Sequence, residues 1–99
     1  MVTSQNNVFS GNNITHNTVN GVQLSGFDNN TIEQNIIAEN ENDGLDVYSS
    51  CNNTIAGNTI ASNGYYGVQI WRDSSGNEIS KNLIANHKIG VLILSLIHI

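Results

Sequence analysis

Apolar residues in this chain fall in short groups, and the groups return at a fixed spacing. Phe9, Ile32, Ile55 and Ile79 form one column, and Ile14, Ile37, Ile60 and Ile84 another. After each of Gly21, Gly44, Gly67 and Gly90 come two more columns: Val22, Leu45, Val68 and Val91, then Leu24, Val47, Ile70 and Ile93. The offset is 23 residues, stretched to 24 where the Asn7, Asn30, Asn53 series reaches Asn77. Within a repeat the apolar positions make three groups separated by Asn, Ser, Gly and Asp, which predicts three brief strands joined by tight turns. Strands this short cannot bury an apolar face alone, so successive repeats must stack, each strand pairing in parallel with its copy roughly 4.8 Å away. Sequence columns then become spatial columns, with the Ile14, Val22 and Leu24 columns as continuous rows inside the cylinder. The prediction is an all-β, single-stranded parallel solenoid of about four coils of 23 residues, three short strands per coil.

The polar positions repeat as strictly. Of 99 residues 18 are asparagine, and such a bias in a disordered tract would not come with β-branched residues at regular places. At turns, asparagine tolerates the left-handed backbone region, which is the role expected of Asn7, Asn17 and their copies. Stacked in register, its amide both donates and accepts along the axis, and the Asn12, Asn35, Asn58, Asn82 column is expected to form such a ladder. The Asn17, Asn40, Asn63 column changes residue type at His87. The glycine column is expected to supply a positive φ at the bend before the third strand.

The run N-x-I, then N-x-I-x-x-N, then G-[IVL]-x-[LVI] over residues 6 to 93 resembles the parallel β-helix repeat of the NosD-like and pectin-lyase-like superfamily. The resemblance implies a right-handed parallel β-helix. It is specific for fold and unspecific for activity, since similar proteins include polysaccharide lyases, glycoside hydrolases, uronan epimerases, surface repeat proteins and an accessory protein of copper-enzyme maturation. It also implies an extracellular, periplasmic or cell-surface setting, although no signal peptide is visible. The repeat is already running at both ends of the chain, so residues 1–93 read as a partial β-helix domain whose partners are the remaining coils of a longer protein. Residues 94–99, Leu-Ser-Leu-Ile-His-Ile, leave the pattern. They match what CTG-TCT-CTT-ATA-CAC-ATC, a transposon-end adapter of sequencing libraries, would encode, and are expected to be a non-native tail.

Charge and composition narrow the function. Three Lys plus Arg against eight Asp plus Glu, net −5, offer no basic stripe for a phosphate backbone, so nucleic acid is not an expected partner. No apolar run reaches the length of a membrane span. Cys51 is the single cysteine, and His16 and His87 lie nearly three coils apart; neither offers metal-ligand spacing, so no metal and no cofactor is expected. No copper ligand set of paired His, Cys or Met is visible.

The one surface with the chemistry of a site is the outward face of the third strand. Asp46 points outward between Leu45 and Val47, in one row with Gln23 and Gln69. The next outward row is Ser25, Tyr48, Trp71, followed by Arg72 and Asp73. Aromatic rings beside polar groups suit a sugar, whose apolar face stacks on a ring. Asp46, Tyr48, Trp71, Arg72 and Asp73 are therefore the candidate ligand-binding residues, with polysaccharide as the ligand class. A lone carboxylate on a strand face is not a catalytic pair, and no catalytic residue is assigned. Two function classes stay open: a non-catalytic structural or recognition segment of a larger protein, or part of a carbohydrate-active enzyme whose catalytic coils lie mostly elsewhere. The regular repeat with short turns favours the first.

Overall fold

The computed structural model describes residues 4–94. The chain winds through four coils of three strands each: β1 (Val8–Ser10), β2 (Asn13–Thr15) and β3 (Val22–Ser25); β4 (Thr31–Glu33), β5 (Ile36–Ala38) and β6 (Leu45–Tyr48); β7 (Thr54–Ala56), β8 (Thr59–Ala61) and β9 (Tyr66–Trp71); β10 (Glu78–Ser80), β11 (Leu83–Ala85) and β12 (Ile89–Leu94). Like strands of successive coils pair in parallel into three four-stranded walls, β1-β4-β7-β10, β2-β5-β8-β11 and β3-β6-β9-β12. The molecule is the expected right-handed parallel β-helix. Its register follows the repeat: Ile32 lies opposite Phe9 and Ile55, Ile37 opposite Ile14 and Ile60, and Val47 opposite Leu24 and Ile70.

These columns make the core. Leu24, Ile32, Ile37, Leu45, Val47, Ile55, Ile60 and Val68 have no solvent exposure at all, and Val22 and Ile70 very little. Each such side chain contributes about 1.5–3 kcal/mol by leaving water. Phe9, Ile14, Ile79 and Ile84, in the first and last coils, are only partly covered, because each has a neighbouring coil on one side alone.

The asparagines do more than expected. All three corner columns are ladders. Asn7, Asn12 and Asn17 each donate backbone N–H to the Oδ1 of the asparagine one coil on, at 2.9, 2.9 and 3.0 Å. The pattern continues through Asn30, Asn35 and Asn40, whose own N–H groups reach Asn53, Asn58 and Asn63 at 2.8–3.0 Å. Asn35, Asn40, Asn53, Asn58 and Asn63 also turn Nδ2 to a backbone carbonyl of the preceding coil, as Asn58 does to Ile32 at 2.8 Å, while Asn30 turns its own to Asp28 two residues earlier. Buried amides that would otherwise be costly are thus paired. The left-handed backbone expected of Asn7 and Asn17 falls one residue earlier, at Asn6, Gly11 and His16 and at their copies Asn29, Gln34, Glu39, Asn52, Gly57 and Ser62. An asparagine that must aim its side chain inward along the axis needs the kink just before it, not at itself.

The glycine column is also corrected. Gly21, Gly44 and Gly67 do not have positive φ; what excludes a side chain is the next coil. A Cβ on Gly44 would lie 2.7 Å from the Gly67 carbonyl oxygen, from Ile60 Cγ2 and from Asn63 Nδ2. Glycine serves here for close approach of backbones, while positive-φ glycines sit at Gly11, Gly26, Gly57 and Gly76.

The stretch to 24 is localised. Ser50 pairs with Ser74, and Ser49 N–H reaches both the Trp71 and Arg72 carbonyls, so the surplus residue lies in the Arg72–Asp73 bend, both of whose residues have positive φ. The next corner, between His87 and Gly90, is one residue short and restores the spacing. Leu94 closes β12 opposite Trp71; the rest of the segment read as a non-native tail, residues 95–99, lies outside the described residues.

Candidate functional site

Strands β3, β6, β9 and β12 carry the candidate face. Alternation along a strand sends Val22 and Leu24, with their copies, inward, and leaves Gln23, Asp46, Gln69 and Leu92 as one outward row and Ser25, Tyr48, Trp71 and Leu94 as the next. Both rows stand in the register the sequence predicts.

Three of the five candidate residues meet. Trp71 folds back across the wall and donates its indole Nε1–H to Asp46 Oδ1 at 2.7 Å. Tyr48, beside Trp71 in the preceding coil, packs against it with ring centroids 4.6 Å apart and planes at 63°, an edge-to-face pair. Asp46, expected to lie open on the strand face, is only 8% exposed, because the indole covers it. Its other oxygen, Oδ2, accepts from Asn20 Nδ2 at 3.4 Å, and that amide also touches Gln23 Oε1 at 3.4 Å. Arg72 and Asp73 lie beyond the strand in the corner, both exposed. The Asp73 carbonyl accepts from the Cys51 thiol at 3.3 Å.

The sequence offers Asp43 only as one carboxylate among several, most of them in turns, and gives no role to Asn20; the structure brings both to the site. Asp43, three residues before Asp46, is 5% exposed; it accepts the Tyr66 backbone N–H at 3.2 Å and gives its own N–H to Asn20 Oδ1 at 3.1 Å. The available signal was that Asn20 and Asp43 precede the glycine column at the same offset of 23. Burial pushes the Asp43 carboxyl above the ordinary aspartate value, the Tyr66 N–H draws it back, and the charge of Asp46 pushes it up again. Burial likewise raises Asp46, opposed by its hydrogen bonds from Trp71 and Asn20. Tyr65 and Tyr66 flank this cluster with centroids 6.3 Å apart, and Lys88 Nζ stands 4.4 Å from the Tyr65 ring centre.

The arrangement offers a flat wall with an anchored aromatic pair, amide groups from Asn20, Gln23 and Gln69, and two covered carboxylates. It can stack a ring and exchange hydrogen bonds with hydroxyl groups around it.

The remaining donor side chains are scattered. His16 is exposed and pairs through Nε2 with Glu39 at 2.8 Å. His87 Nε2 meets Asn63 Nδ2 at 3.0 Å. Cys51 Sγ accepts the Ser75 N–H at 3.4 Å. Among the described residues no group of three or more His, Cys, Asp or Glu side chains could hold a metal ion, and no helix is long and apolar enough to cross a membrane.

The family model described as periplasmic copper-binding protein (NosD) matches residues 1–94. No curated protein and no solved structure matches the chain. Copper favours clustered sulfur and imidazole donors, and the separate placements of His16, His87 and Cys51 do not fit it.

Proposed function

The chain belongs to the family described as periplasmic copper-binding protein (NosD), and from that membership we propose that it is a non-catalytic β-helix segment of a larger periplasmic or surface protein, and that its β3-β6-β9-β12 wall recognises carbohydrate. The observation that carries the reading is the Tyr48–Trp71 pair, tied down by Asp46 on a flat wall where Gln23 and Gln69 are the polar neighbours. An aromatic held in place on such a surface stacks on a sugar ring without first losing its own freedom. The rest of the chain is spent on columns and short corners. The test is an array of neutral and acidic oligosaccharides probed with the wild-type chain and with Trp71→Ala. Expected is a set of bound glycans whose signal falls at least tenfold in the variant, the order of a lost stacking contact plus buried area. A blank array, or signals that Trp71→Ala leaves intact, would remove this reading.

A second reading, part of a carbohydrate-active enzyme such as a polysaccharide lyase, glycoside hydrolase or uronan epimerase, is favoured by one observation. Asp46 on the wall and Asp43 in the turn that leads into its strand lie in one coil, and burial raises both. Release of sugar products from a bound glycan, abolished by Asp43→Asn, would decide for it over recognition alone.

A further inference from the structure

We infer, on the reading that this wall binds carbohydrate, that Asp46 is its positioning residue: it fixes the plane of Trp71 and acts on the ligand only through that ring.

The geometry separates Asp46 from the ligand side. Trp71 stands opposite Tyr48, and Asp46 lies two residues before Tyr48 in the coil below. For the indole Nε1 to reach Asp46 Oδ1 at 2.7 Å, the ring has to lie diagonally back over the Asp46–Gln69 rung instead of standing off the wall. That pose puts the ring on top of the carboxylate, which is why so little of Asp46 meets solvent. Asp46 is itself held, by Asn20 on Oδ2, and the Tyr48 ring braces the indole from the side. The indole is thus fixed at two points before any ligand arrives.

The repeat contains its own comparison. The same two rows read Gln23 with Ser25 in the first coil, Asp46 with Tyr48 in the second, Gln69 with Trp71 in the third and Leu92 with Leu94 in the fourth. The single acid of the inner row stands one coil below the single tryptophan of the outer row. A carboxylate makes a shorter and stronger bond to an N–H than the amides of this row can.

Trp71 is the chain's sole tryptophan, so its fluorescence reports the clamp directly. Without ligand, Asp46→Ala is expected to shift the emission to the red and to raise quenching by acrylamide, while Asp46→Asn, which keeps an acceptor oxygen, stays near wild type. On an array of neutral oligosaccharides Asp46→Ala is expected to weaken apparent affinity about tenfold, from the ordering now left to be done on binding, and Asp46→Asn less than threefold. Trp71→Phe keeps a ring but has no N–H, so adding Asp46→Ala to it is expected to change affinity no further, a double-mutant cycle that holds even where the single Ala variant is less stable. Unchanged emission in Asp46→Ala overturns the inference. So does an additional loss of affinity in the double variant, which would put Asp46 in contact with the sugar. A blank array for wild type overturns the recognition reading and this inference's affinity arm with it, a result distinguishable from failure of the clamp because the emission arm uses no ligand.

Discussion

His87 stands where Asn17, Asn40 and Asn63 stand in the other coils, and it does their work poorly. Asn63 offers its Nδ2 to His87 Nε2, so that nitrogen must be unprotonated and the ring proton sits on Nδ1, which is buried and has no partner among the described residues. Burial lowers the His87 pKa below its ordinary value of 6.5. A lowered value means that the unfolded chain takes up the proton first as pH falls: the contribution to stability is complete above 6.5 and is lost as pH drops through the folded value. His87→Asn restores an amide with an oxygen toward Asn63. Its expected effect is a gain of about 1 kcal/mol at pH 7.5, and a larger gain at pH 5.5, read from urea unfolding at both. An equal gain at the two pH values would show that folding does not lower the His87 pKa.

At the scale of the element, each wall depends on how closely one coil approaches the next. Gly44→Ala puts a methyl group 2.7 Å from the Gly67 carbonyl oxygen, a backbone atom that has no rotamer to escape into. The expected loss is about 3 kcal/mol, the upper part of the range for overpacking. Gly90→Ala, where the nearest atom is Ile84 Cγ2 at 3.5 Å, is expected to change stability by less than about 0.5 kcal/mol. Thermal unfolding of the two variants side by side checks the contrast. The strands and their register were legible because a period of two inside a strand and of 23 between strands both leave marks in the apolar residues. The corners were not. The residues with left-handed backbone before the ladder asparagines include Asn6, His16, Gln34, Glu39, Ser62 and Lys81, which share no side-chain chemistry. The corner imposes that conformation at about 1–2 kcal/mol per residue, offset by the ladder bonds that follow. Within the candidate site the two outward rows were legible for the same reason as the strands. The diagonal from Trp71 to Asp46 was not, since it depends on a rotamer, and neither was the burial of Asp43, since a turn residue carries no alternation to betray it.

For the molecule as a whole, Asp43 and Asp46 set a pH dependence opposite in sense to that of His87. Both carboxyls are raised, chiefly by burial, so the folded chain holds their protons longer than the unfolded one. Their contribution to stability is complete below the ordinary value of 3.8 and is lost as pH rises through the folded values. Asp43→Asn with Asp46→Asn keeps an acceptor oxygen at each place and removes the titration. The double variant is expected to match wild type near pH 3.5 and to exceed it at pH 7, measured as denaturant midpoints; a constant difference across that interval would contradict the assignment. Because the chain already carries a net charge of −5, neutralising two of its acids also relieves self-repulsion, an effect that salt would screen and the burial effect would not.

The surplus residue at Arg72–Asp73 and the shortfall before Gly90 have a consequence for how such a chain can change over time. An error of one in the count is absorbed at a corner and corrected at a later one, and no interior row shifts by a single place. Mutation can therefore lengthen or trim the rim of the cylinder freely while its inside stays fixed. Such a change is confined to the outside of the cylinder, at the corner beside Trp71, and spares the buried rows.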